Sequence, residues 1–98
     1  MRENIFKRVN DAARPRLAGL CRDWLPDGRR VGAEWVARNP RRADRRPGSF
    51  KINLHTGRWA DFAIGEAGGD VISFYAYLTS QSQIDAARTL AGRLGVEQ

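Results

Sequence analysis

Near the N-terminus of the chain, apolar residues recur with the spacing of helices. One side of a helix predicted over residues 4–13 carries Ile5, Val9 and Ala12 or Ala13. Asn4 is placed to cap the start of this helix. Pro15 interrupts the pattern, because a proline ring disfavours helical backbone at the residue before it. A second helix follows and ends at the turn Pro26-Asp27-Gly28, and its apolar side carries Leu17, Leu20, Cys21 and Trp24.

In the middle of the chain the spacing changes to alternation. Over Ser49–Leu54, apolar residues at every second position predict a half-buried strand. His55-Thr56-Gly57 is a short hairpin connection in which the glycine can adopt a positive φ. Strands are also predicted on either side, over Gly32–Asn39 and Arg58–Phe62, and their large residues are Trp35, Val36, Trp59 and Phe62. Together these segments predict an antiparallel meander of three strands.

Two helices are predicted in the C-terminal part. Gly65, Gly68 and Gly69 form a turn, and Asp70 is a good N-cap for an apolar helix over Val71–Leu78. Ser82 with Asp85 offers a capping box for the last helix, which Gly95 ends. The apolar face of that helix carries Ile84, Ala87, Leu90, Ala91 and Leu94.

These elements predict an α+β fold, in which a three-stranded antiparallel meander is packed against N-terminal helices and two C-terminal helices. The 98 residues suggest one compact domain with a single core. Within it we expect residues 1–30 to form a helical lead-in and residues 31–98 to form the domain proper.

The charge of the chain indicates a polyanionic partner. Lys and Arg total 17 against 11 Asp and Glu, a formal net charge of +6, and nearly all of the positive charge is arginine. Arginine presents a planar fork of donors that suits phosphate. Between Pro40 and Pro47, with only Asp44 opposed, lie Arg41, Arg42, Arg45 and Arg46. The alternative explanation for the overall excess of arginine is a GC-rich genome. The alternative for the arginine cluster is a solvated loop without a partner.

Several classes of site and of protein are disfavoured. Cys21 lies on an apolar stripe and predicts a core residue; with a single Cys and a single His, His55, the chain lacks the residues for an internal disulfide or a metal site. No nucleophile–base pair or paired carboxylates stand out, and GEAGGD at 65–70 lacks the lysine of a phosphate loop. No apolar run approaches the roughly 20 residues of a membrane span, and no secretory signal is evident. We expect a cytoplasmic protein without catalytic activity of its own.

The motifs resemble a known family. Pro47-Gly48-Ser49-Phe50 is followed by a hairpin and then by Gly69-Asp70-Val71-Ile72-Ser73-Phe74 at a helix start. This pattern resembles the N-terminal zinc-ribbon (CHC2) domain of DnaG-type bacterial primases, and more closely the cysteine-free form at the start of phage and plasmid primase–helicase proteins. The last helix, with Ile84-Asp85-Ala86-Ala87 and Leu90-Ala91, resembles the closing helix of the family, so the resemblance extends from Trp35 to Val96.

The resemblance also implies a loss of metal. The positions of the four zinc ligands would be taken by Asn39, Arg42, Asp61 and Ala63, which do not form a structural zinc site. We therefore expect a degenerate, metal-free ribbon without cofactor, in which aromatic packing replaces zinc. The bulk available for this is Trp35, Phe50, Trp59 and Phe62. These aromatics, Trp59 and Phe50 among them, are open to two interpretations, as core residues or as base-stacking ones.

By resemblance, the function is binding of a single-stranded DNA template within a phage- or plasmid-type primase–helicase system. We expect the catalytic domain of such a primase to be absent from this chain. The primase catalytic domain and the helicase are then the candidate protein partners. The candidate nucleic-acid-binding residues are Arg38, Arg41, Arg42, Arg45, Arg46, Lys51, His55, Arg58 and Trp59. For His55, the alternative to a base-stacking role is that of a plain surface residue. The alternative function is a protein–protein docking module, with the apolar residues of Val71–Leu78 partly exposed as its contact face.

Overall fold

The computed structural model describes residues 4–41 and 48–98, and its class is α+β. The helices are α1 (Ile5–Ala13), α2 (Leu17–Trp24), α3 (Val71–Thr79) and α4 (Gln83–Leu94), and a 3-10 turn over Arg14–Arg16 joins the first two. The strands are β1 (Arg29–Val31), β2 (Glu34–Ala37), β3 (Phe50–Asn53), β4 (Trp59–Asp61) and β5 (Glu66–Gly68). None of the helices in these residues has both the length and the apolar character needed to cross a bilayer.

The predicted meander is extended at both edges. The strands form one antiparallel sheet in the order β1-β2-β3-β4-β5, so the expectation of three strands was wrong. The two added strands, with sequences RRV and EAG, are short and carry no alternating apolar pattern. Their extended backbone is held by hydrogen bonding to β2 and β4, a contact that local sequence does not reveal.

Each predicted N-cap residue is in place, although at Ser82 the hydrogen bond to Asp85 forms without the return bond of the expected capping box. The Asn4 side chain accepts from the backbone N–H of Lys7 at 3.0 Å, and Ser82 accepts from the N–H of Asp85 at 3.2 Å. At the start of α3, Asp70 and Ser73 form a capping box. Gly95, the C-cap of α4, has φ of 72°, in the left-handed region that glycine tolerates. The helix ends therefore follow from local side-chain chemistry.

The helices cover one face of the sheet. Side chains on this helix-facing side, with α3 lying across them, are Trp35, Ala37, Phe50, Ile52, Leu54 and Trp59. The Phe50 and Phe74 ring centroids are 5.7 Å apart, and those of Trp59 and Phe74 are 6.0 Å apart. Of the four aromatic residues expected to supply bulk to the core, Trp35, Phe50 and Trp59 are buried and Phe62 is exposed.

The N-terminal helices belong to the same core. From α1 and α2 it includes Val9, Ala13, Leu17, Leu20 and Cys21, all nearly or fully buried. The expected boundary at residue 30 falls within β1 (Arg29–Val31). α1 packs on α3 and α4, so both ends of the chain contribute to one helical layer.

A polar contact fixes α1 to the start of α3. Asn10, 7% exposed, donates from Nδ2 to Asp70 Oδ2 at 3.2 Å and accepts from the backbone N–H of Ile72 at 3.2 Å. The other oxygen of Asp70 accepts from the N–H of Ser73 at 2.8 Å. Asp70 therefore both caps α3 and satisfies a side chain from α1.

Replacing Asp70 by alanine should lower the free energy of unfolding by about 1–2 kcal/mol, because the cap and the partner of Asn10 are lost together. Urea denaturation followed by tryptophan fluorescence measures the change. Ser82→Ala removes only the exposed cap of α4 and should cost less. A neutral Asp70→Ala variant would contradict the role of this cap.

Candidate nucleic-acid interface

The face of the sheet that points away from the helices contains small and charged residues. One row across the strands carries Val36, Lys51, Ala60 and Ala67, and the next pairs Glu34 with Asn53. We call this surface the outer face. Ala60 and Ala67 are cross-strand partners with minimal side chains, so the backbone of β4 and β5 lies low between longer neighbours. The pattern of side-chain sizes thus produces a concave surface.

The concavity is a depression of about 500 Å³. We call it the outer depression; its lining comprises Glu34, Lys51, Asn53, Thr56, Arg58, Trp59, Ala60, Phe62, Ala67 and Gly68. Two of the predicted cationic residues, Lys51 and Arg58, therefore lie at one site. Arg58 is exposed and Lys51 half-buried. This arrangement places positive charge around a shallow, partly apolar hollow, which suits a chain of phosphates with attached rings.

Phe62 is the feature that the sequence interpretation placed wrongly. Its side chain is 71% exposed at the rim of the outer depression, and the Lys51 Nζ atom lies 5.9 Å from its ring centroid. The expectation that Phe62 packs in the core was wrong because successive strand residues point to opposite faces. Trp59 and Phe62 are three positions apart, an odd spacing that puts them on different sides. That spacing was the signal available in the sequence.

Trp59 lies in the core, so its candidate role in base stacking is not supported and the core interpretation is confirmed. Its side chain is 6% exposed, and its Nε1 donates to Ser73 Oγ at 2.8 Å. Its ring also packs at 4.7 Å, centroid to centroid, from that of Tyr77. A base has no access to a ring that α3 covers on the helix-facing side.

The remaining described candidates lie around the sheet in different settings. Arg38, after β2, is exposed and forms an ion pair with Asp27 at 2.9 Å. Arg41 is exposed, with its guanidinium 4.8 Å from the ring centroid of Tyr77. His55 is exposed at the turn between β3 and β4, where its backbone N–H donates to Asn53 Oδ1 at 2.9 Å. Arg42, Arg45 and Arg46 lie outside the described residues.

Asn39 and Asp61, two of the residues expected at the positions of the family's zinc ligands, are joined by a buried hydrogen bond. Asn39 Nδ2 donates to Asp61 Oδ2 at 2.9 Å and to the Tyr77 hydroxyl at 2.8 Å, with Asn39 1% and Asp61 0% exposed. The backbone N–H of Ala63, at a third such position, donates to Asp61 Oδ1 at 3.0 Å. The fourth, Arg42, is outside the described residues. Among residues 4–41 and 48–98 no three His, Cys, Asp or Glu side chains form a group fit for a metal ion.

Cys21 is a core residue. It is fully buried in α2, and burial raises the pKa of its thiol to about 12. Since the thiolate is the reactive form, at neutral pH the side chain is a packing group rather than a nucleophile.

Comparison with known protein families and curated proteins identified no relative of this chain. No protein-family model matches the chain, and a search of curated proteins found no match. The resemblance to primase zinc-ribbon domains stays a prediction from the sequence, and the site is characterised by its own geometry.

Proposed function

We propose that this protein is a single-stranded DNA-binding module that holds its ligand on the outer face of the sheet. The observation that carries the proposal is the grouping of Lys51, Arg58 and the exposed ring of Phe62 around the outer depression. The cations attract phosphate, and an exposed aromatic ring offers a stacking surface to any base. Arg41, which follows β2, is a further exposed cation, with its guanidinium over the ring of Tyr77.

The module belongs, in this proposal, to a phage- or plasmid-type primase–helicase system in the cytoplasm. The support is the sequence resemblance together with the order of elements, in which a β-hairpin is followed by an apolar helix that Asp70 caps. The module binds template and catalyses no reaction alone. Primer synthesis is then the work of a separate catalytic domain, which with the helicase is the expected protein partner.

A titration of a labelled 12-residue oligothymidylate, followed by fluorescence anisotropy at several salt concentrations, tests the proposal. Affinity should fall steeply with salt, with a log–log slope of about −0.7 for each phosphate contact. In the double variant Lys51→Glu, Arg58→Glu, we expect about a hundredfold weaker binding at low salt and a slope shallower by about 1.4, because two contacts are lost.

The matched control reverses two exposed charges on the helical layer, Arg22→Glu and Arg88→Glu. It changes the net charge by the same amount and should weaken binding less than tenfold, as a long-range effect only. Equal losses in both double variants would show that the outer face is not the binding surface.

The docking alternative keeps only part of its expected contact face. Within Val71–Leu78, Tyr75, Tyr77 and Leu78 are half-buried, and the remaining apolar residues are buried. The exposed apolar side chains nearest the sheet are Phe62 and Ile64, 71% and 50% exposed. If the wild-type protein binds no oligonucleotide at low salt, these residues support a protein contact and the DNA-binding proposal fails.

A further inference from the structure

The outer depression contains a carboxylate that phosphate binding leaves unexplained. Glu34 is half-buried on β2 and lines the depression, and its carboxylate makes no hydrogen bond or ion pair with any described residue. The carboxylates of Glu66 and Glu97 also lack a partner among the described residues but are exposed, whereas four aspartates of the helices and loops each have a basic partner. Those pairs are Asp11 with Lys7 and Arg14, Asp23 with Arg93, Asp27 with Arg38, and Asp85 with Arg88.

A carboxylate at this position repels phosphate, so its value to a nucleic-acid site lies elsewhere. It accepts hydrogen bonds only, and the N–H groups on the pairing edge of a base are suitable donors. That edge is available in a single strand and occupied in a duplex. Glu34 therefore suits an unpaired base better than it suits the backbone.

Asn53 supplies the complementary group. It lies directly opposite Glu34 across the β2–β3 ladder. Its Oδ1 accepts from the backbone N–H groups of His55 at 2.9 Å and Thr56 at 3.0 Å, which fixes the amide orientation. The Nδ2 group is left as a donor with no partner among the described residues. A donor beside an acceptor matches the pairing edge of a base, where an acceptor stands beside an N–H.

The depression is long enough for more than one base. Phe62 lies four residues along the chain from Arg58, a distance of about 13 Å at the rise of a strand. Stacked nucleotides repeat every 3.4 Å or so along one strand. Asn53 lies at the Arg58 end, because its backbone N–H donates to the Arg58 carbonyl at 2.8 Å. Phe62 at one end and the Glu34–Asn53 pair at the other thus contact different nucleotides.

We infer that the outer depression is a base-binding site for unpaired nucleotides, in which Glu34 and Asn53 bind the pairing edge of one base and Phe62 stacks on another. The inference rests on the proposed function and deepens it: it makes bases, as well as phosphates, contribute to affinity. The ligand class that follows is a single strand with accessible pairing edges.

Three 12-residue strands separate these contributions: oligothymidylate, the same strand with N3-methylthymine throughout, and an abasic deoxyribose-phosphate strand. N3-methylation removes the N–H donor and keeps the ring. The wild-type protein should bind oligothymidylate about tenfold more tightly than the N3-methyl strand, and the abasic strand most weakly. Equal affinity for all three strands would overturn the inference and leave phosphate binding intact.

Two variants give opposite signatures. The Glu34→Leu variant should bind oligothymidylate more weakly than the wild-type protein does. It should bind the abasic strand equally or more tightly, because a negative charge that repels phosphate has been removed. Phe62→Ala should weaken both base-containing strands by a similar factor of about ten and leave the abasic strand unchanged. Tighter binding of all three strands by Glu34→Leu would overturn the role of Glu34. Absence of binding to every strand at low salt would refute the proposed function itself.

Discussion

Replacing Gly57 by alanine should lower the free energy of unfolding by about 3 kcal/mol or more. Gly57 has φ of 79°, where a side chain costs roughly 1–2 kcal/mol. A Cβ atom at this position would also lie 2.8 Å from Val71 Cγ2 and 2.9 Å from the backbone N of Val71. The second contact is with backbone at the start of α3, so relief requires the hairpin and the helix to move apart.

Gly65→Ala is the matched control for this prediction. Gly65 has a similar φ of 74°, but an added Cβ meets nothing within 4 Å. It should therefore show the conformational cost alone. Urea denaturation with tryptophan fluorescence gives both values, and the difference between them measures the hairpin–helix contact. If the free energy of unfolding falls by the same amount in both variants, the close approach of Gly57 to α3 does not contribute to the cost of the Gly57→Ala substitution.

Replacing Asp61 by alanine should cost about 2–4 kcal/mol, because the substitution leaves buried donors without their acceptor. The carboxylate accepts from Asn39 Nδ2 and from the Ala63 backbone N–H inside the fold. It connects Asn39, two residues after β2, with the end of β4. In a chain of this size, whose total stability is on the order of 5–10 kcal/mol, such a loss should lower the melting temperature markedly.

Asp27→Ala provides the comparison for Asp61. Asp27 also has a side-chain partner, because it forms an ion pair with Arg38 at 2.9 Å, but this pair is exposed. Replacing Asp27 by alanine should therefore lower the free energy of unfolding by less than about 1 kcal/mol. A double-mutant cycle between Asn39→Ala and Asp61→Ala should then show a coupling energy of about 1 kcal/mol or more. Additive single losses would indicate that the Asn39–Asp61 hydrogen bond contributes nothing beyond burial.

The helices and the central strand were predictable because their signals are local. Asn4, Asp70 and Ser82 cap helices within three residues of themselves, and β3 shows its alternation in its own sequence. The edge strands have no such signal. β5 forms because β4 offers it unpaired backbone groups, and three residues of sequence do not record that neighbour.

The candidate site was predictable to the same extent. Lys51 and Arg58 were identified from charge and from the hairpin on which they lie. The depression between them was not, because its floor needs Ala67, which belongs to the unpredicted β5, beside Ala60. Phe62 was misassigned by size, although strand alternation places it opposite Trp59. Glu34 was missed because its lack of a partner is visible only in three dimensions.

The packing of α1 on α3 and α4 has a consequence for synthesis of the protein. Val9 and Ala13 are fully buried, yet the helices that cover them come from the last part of the chain. A ribosome therefore releases the apolar side of α1 long before its partners exist, and a nascent chain keeps that surface open until α4 has emerged. The core around α1 is therefore completed only after α3 and α4, which lie far from α1 in the sequence, have been synthesised.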